Sequence, residues 1–80
     1  MLAHTKDEKY LMALYEMSQE DESKEFFDKY EVGLRAHLQP KGVNTITVLL
    51  AQANFIKKGD GDLIKITKHG ESLALRLLEE

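Results

Sequence analysis

The chain has no cysteine, no tryptophan and a single proline, Pro40. Without cysteine it can form neither disulfides nor thiolate metal sites, two aids that a domain this small often needs. The same absence fits a reducing cytoplasm. No apolar run approaches the roughly 20 residues that cross a bilayer. The first residues place acids ahead of their apolar stretch, the wrong order for a secretory leader. The expectation is a soluble, cytoplasmic protein. The three histidines, His4, His37 and His69, lie far apart on unrelated segments with no H-E-x-x-H spacing, so no metal site is expected. The sequence contains no phosphate loop, nucleophile elbow or dinucleotide fingerprint, and a chain this short leaves little room for a pocket. Neither an enzyme nor a cofactor is expected.

What is present is enough for one core. Hydrophobic residues make up 42% of the 80, which supports a single folded domain over residues 1–80 and excludes a disordered tail. The net charge of −3 is unevenly spread. Residues 1–34 hold four lysines and nine acids, residues 35–69 hold five lysines, one arginine and two acids, and residues 70–80 hold one arginine and three glutamates. A basic block therefore sits inside an acidic chain.

Thr5 and Glu8 have the spacing of a capping box, and Leu11, Leu14, Tyr15 and Ser18 follow at helical spacing with Tyr10 and Met17 beside them. These predict a first helix from about Lys6 to about Gln19, then a polar loop through Ser23. A second helix starts at Ser23 or at Asp28, with Phe26, Phe27, Tyr30 and Leu34 as its apolar face, and ends near His37 ahead of Pro40. In a third helix, read as opening around Gly42, Val43, Ile46, Leu50 and Ala53 share a core face. Lys41, Thr45, Val48 and Gln52 lie opposite, with Asn44 at the edge. Asn54 ends that helix, since asparagine tolerates the left-handed conformation. The period then falls to 2. Phe55–Lys58 and Leu63–Ile66 read as strands around the hairpin signal Gly59-Asp60-Gly61-Asp62, with Ile64 and Ile66 inward and Lys65 toward solvent. Thr67 caps a last helix from Lys68 to about Leu78, faced by Leu73, Ala74 and Leu77. Gly70 in its first turn allows close approach to the sheet.

This order gives an α+β fold of three helices, a two-stranded hairpin and a closing helix. It resembles the winged helix-turn-helix superfamily. Val32-Gly33 with Ala36, and Val43 opening the next helix, resemble the helix-turn-helix pattern. Leu50-x-x-x-Asn54-Phe55-Ile56 and Leu63-Ile64-Lys65-Ile66-Thr67-Lys68-His69-Gly70 resemble the end of the recognition helix and the wing ending. The general comparison is with MarR-like and ArsR-like regulators. That resemblance implies a DNA-binding regulator with the third helix in the major groove. Lys41, Asn44, Thr45, Val48 and Gln52 would then face bases and phosphates, and Lys57, Lys58, Lys65 and Lys68 would neutralise backbone phosphate. Asp60 and Asp62 at the wing tip, and the lack of arginine on the third helix, depart from the usual pattern, so the tip is expected to turn away from DNA. A homodimer, with Leu75, Leu77 and Leu78 contributing, would set two recognition helices one DNA turn apart. The alternative is a winged helix that binds protein through the Val48 face or the aromatic helices.

Overall fold

Thr5 opens the first helix as its spacing demands. The Glu8 amide donates to Thr5 Oγ1 at 3.3 Å, and the Thr5 amide donates to Glu8 Oε1 at 2.8 Å. The computed structural model describes residues 3–80. Its elements are α1 (Lys6–Glu20), β1 (Phe27–Asp28), α2 (Lys29–Arg35), α3 (Pro40–Gln52), β2 (Ile56–Lys58), β3 (Leu63–Ile66) and α4 (Lys68–Glu79). Three helices, a hairpin and a closing helix in this order form a winged helix-turn-helix. No helix among the described residues is long and apolar enough to cross a membrane.

The centre of the core is α1, which buries Tyr10, Leu11, Ala13 and Leu14. Tyr10, beside the stripe in the sequence pattern, is fully enclosed, and its Oη donates to the Lys29 carbonyl at 2.8 Å. Burial first, and the Asp28 carboxylate second, push its phenol up from an ordinary value of 10. The fold thus holds the phenol neutral where the unfolded chain would lose its proton. Its contribution to stability is complete below about pH 10 and is lost as pH rises further. Tyr10→Phe is expected to cost about 1 kcal/mol at neutral pH and to flatten the decline between pH 9 and 11. Urea midpoints of both proteins across that range check this; parallel declines would refute it.

The second helix differs from the sequence expectation. Phe26 and Phe27 are not helical: Phe26 lies in the preceding loop and Phe27 opens the short strand β1. Phe27 pairs with Ile64 and Asp28 with Leu63, so β1 joins the hairpin in a three-stranded antiparallel sheet ordered β1-β3-β2. Two paired residues are too few to show a period of 2, so the pattern could not reveal this strand. Of the two possible caps, Asp28 forms: its Oδ1 accepts from the Tyr30 and Glu31 amides at 2.8 and 3.3 Å. Because α2 begins this late and runs only two turns, its buried residues are Val32 and Gly33, and Leu34, expected inside, is 73% exposed.

Pro40 opens α3 two residues before the expected start, at a first-turn position where its missing N–H has no helical partner to lose. The helix buries Val43, Ile46, Thr47 and Leu50; Ala53, expected on that face, is its exposed C-cap. Asn54 is left-handed at φ 64° as expected, and so is His37 at φ 61° in the turn between α2 and α3. Gly33 has to be small: a Cβ there would collide with Cγ2 of Val43 where α2 and α3 cross.

In the hairpin Ile56 pairs with Ile66, Lys57 with Lys65 and Lys58 with Ile64. The Thr67 side chain closes the far end of the sheet, accepting from the Gly70 amide at 3.0 Å and donating to the Asn54 carbonyl at 2.7 Å. Helix α4 then buries Gly70, Ala74 and Leu77 and packs along α1.

Candidate nucleic-acid interface

Between Glu31 and Asp60 the chain contains no carboxylate, although it holds 14 acids in all. That acid-free stretch forms most of α2, the turn, α3 and β2. Packing turns Val43, Ile46, Thr47 and Leu50 of α3 inward. The outer surface of α3 is left to Lys41, Asn44, Thr45, Val48, Leu49 and Gln52, all exposed. Five of these are the positions expected from the helical period. Leu49 was missed. It is 53% exposed beside Val48 at 43%, and at 100° per residue it falls between the two faces assigned from the pattern. The period already places Leu50 in the core; the fit of α3 against β2 and α2 decides that Leu49 stays outside it.

Asn44 is held from the side, since Tyr30 Oη donates to its Oδ1 at 3.0 Å. Its amide NH2 group remains the donor available for another partner. At the start of α3 a depression of about 520 Å³ is lined by Lys6, His37, Gln39, Lys41 and Thr45 among others, with no acid in its wall. Lys6 reaches it from α1, a neighbourhood created by tertiary packing and invisible to local pattern. Lys41 makes no salt bridge among the described residues. Arg35, by contrast, is engaged: it grips Glu20 in a bidentate pair at 2.6 and 2.8 Å and holds that carboxyl below its ordinary pKa.

On the wing, Lys57 and Lys58 are exposed, alternate between the two faces of the hairpin, and have no ion-pair partner among the described residues. Lys68 is exposed in the first turn of α4. Lys65 shares a face with Lys57 but is partnered: its Nζ lies 2.7 Å from Glu25 Oε1 and over the Phe26 ring, 5.7 Å from its centroid. It is therefore half-buried, where the strand pattern placed it in solvent. At the tip, the Asp62 carboxylate lies 3.7 Å from Lys29 Nζ, and the Asp62 carbonyl accepts from the Lys29 amide at 2.9 Å. One of the two wing acids is thus drawn back toward α2. Among the described residues, no three histidines or acids converge as metal ligands.

An exposed, acid-free helix after a short turn, with a lysine-bearing hairpin behind it, defines the surface of a winged helix-turn-helix. The crystal structure of a MarR family protein of Mycobacterium tuberculosis has the same fold: the two chains are 21% identical and align with a TM-score of 0.66. The alignment takes in 89% of this chain and 50% of that one, so this chain spans about half the length of its structural neighbour. No family model and no curated protein sequence matches it.

Proposed function

We propose that this chain is a cytoplasmic DNA-binding transcriptional regulator that lays α3 in the major groove and touches backbone phosphate with Lys57 and Lys58. The observation that carries this reading is the acid-free stretch between Glu31 and Asp60, which leaves α3 and β2 without a carboxylate of their own in an otherwise acidic chain, because phosphate repels carboxylates. The two wing lysines point to opposite faces of the hairpin, so a hairpin lying along a groove would offer one to each wall. Lys41 and Lys6, at the depression beside the start of α3, and Lys68 at the start of α4 are further phosphate contacts in this reading. Lys65 would first have to exchange Glu25 for phosphate, and Asp60 keeps the tip itself away from the backbone. The exposed leucines Leu75 and Leu78 on α4 offer a surface for a second copy, which would supply a second recognition helix about 34 Å away.

The test is equilibrium binding to a random-sequence duplex between about 50 and 300 mM salt. Affinity is expected to fall with a log–log slope near −0.9 for each phosphate contact. Absence of binding at the lowest salt would overturn the proposal. It would favour the second reading, in which exposed Val48 and Leu49 are the centre of a protein-binding face.

A further inference from the structure

Resting on the DNA-binding function proposed above, we infer that α3 selects A·T base pairs, and that Val48 and Leu49 do so by packing against thymine methyl groups in the major groove. The inference follows from which base edges this helix can read. Guanine is read by the paired donors of arginine or by lysine, and cytosine by a carboxylate accepting from its amino group. Helix α3 has no arginine and no acid, and its one lysine, Lys41, sits in the first turn at the depression shared with Lys6. Its exposed surface therefore has no group that selects either half of a G·C pair beyond that terminal lysine, since the Thr45 hydroxyl and the Asn44 NH2 group serve any base with a matching acceptor or donor. Adenine is read by asparagine or glutamine, and the thymine methyl by apolar groups. Those are the residues present: exposed Gln52 can accept from the adenine amino group and donate to N7, Asn44 offers its amide NH2 group to N7 of either purine because Tyr30 occupies its Oδ1, and Val48 and Leu49 with the methyl of Thr45 form the apolar middle.

The dimensions agree. From Thr45 to Gln52 the helix rises about 10 Å, which matches about three base pairs at 3.4 Å each. An exposed Val-Leu pair on a charged protein loses water only against an apolar partner. In a groove otherwise lined with polar base edges, the thymine methyl is that partner. The absence of any acid from α3 favours DNA as the occupant over a basic protein.

The experiment compares alternating dA·dT, dA·dU and dG·dC duplexes of equal length at one salt concentration, for the wild-type chain and for Val48→Ala with Leu49→Ala. Both side chains are exposed, so the double variant keeps the core. The wild type is expected to prefer dA·dT over dA·dU by about fourfold for each methyl buried, and to bind dG·dC most weakly. The double variant is expected to bind dA·dT and dA·dU alike while its salt slope on random duplex is unchanged. Equal wild-type affinity for dA·dT and dA·dU, with salt-dependent binding to all three duplexes, overturns this inference and leaves DNA binding standing. A preference for dA·dT that survives in the double variant overturns the assignment to these residues. No binding to any duplex overturns both the inference and the function it rests on.

Discussion

Gly70→Ala is expected to destabilise the domain by about 2–3 kcal/mol, lowering its melting temperature by roughly 10–20 °C for a chain of this size. Alanine is the better helix former by about 1 kcal/mol, so intrinsic propensity alone would predict a gain. The collision reverses the sign. A Cβ at Gly70 would run into the carbonyl oxygen of Phe55 and lie 2.9 Å from Ile66 Cγ1. The carbonyl is backbone and cannot rotate aside, and it already accepts from the Thr67 amide at 3.1 Å. Either α4 lifts from the sheet or the end of α3 moves, and both break the Thr67 bonds. Gly42→Ala is the control: it also lies within a helix, and no atom comes within 4 Å of the new Cβ. That variant should gain up to about 1 kcal/mol. Thermal and urea unfolding of the pair measure the contrast, and a Gly70→Ala protein as stable as the wild type would disprove the contact.

The second large effect concerns DNA. Lys57→Ala combined with Lys58→Ala is expected to weaken duplex binding about sixtyfold at 0.1 M salt and to make the log–log salt slope shallower by about 1.8. The size follows from counterion release: two contacts, each worth about 0.9 decade of affinity per decade of salt below 1 M. Both side chains are exposed and make no ion pair among the described residues, so folding stability should stay within about 0.5 kcal/mol. Unchanged affinity would remove the wing from the interface, whereas a weaker affinity with an unchanged slope would mean that these lysines do not meet phosphate.

The fold was legible because its signals are local. The capping box at Thr5, the cap at Thr67, the left-handed Asn54, the hairpin glycines and the stripe of Val43, Ile46 and Leu50 in α3 each act within a few residues, and each is where its chemistry predicts. The choice between Ser23 and Asp28 as the cap of α2, by contrast, was not settled by local pattern. Strand β1 was not legible, because a two-residue strand exists only through its partner, β3. The same division explains the candidate site. Exposure of Thr45, Val48 and Gln52 follows from one helical period. The neutralisation of Lys65 by Glu25, forty residues away, the pairing of Asp62 with Lys29 and the arrival of Lys6 beside Lys41 are set by tertiary packing. A lysine count therefore overstates the charge that the wing can offer, since sequence shows a charge but not its partner.

The small knot of Asn54, Phe55, Thr67 and Gly70 has a consequence for association. It joins the end of α3, the base of the hairpin and the start of α4 through backbone carbonyls, one hydroxyl and a glycine that admits no side chain. None of these parts is a long side chain that must be stilled on docking. The spacing between helix and hairpin is thus settled before any encounter. A partner that needs both at once meets a preorganised surface, and the ordering entropy that flexible binders give up on contact has here already been spent during folding.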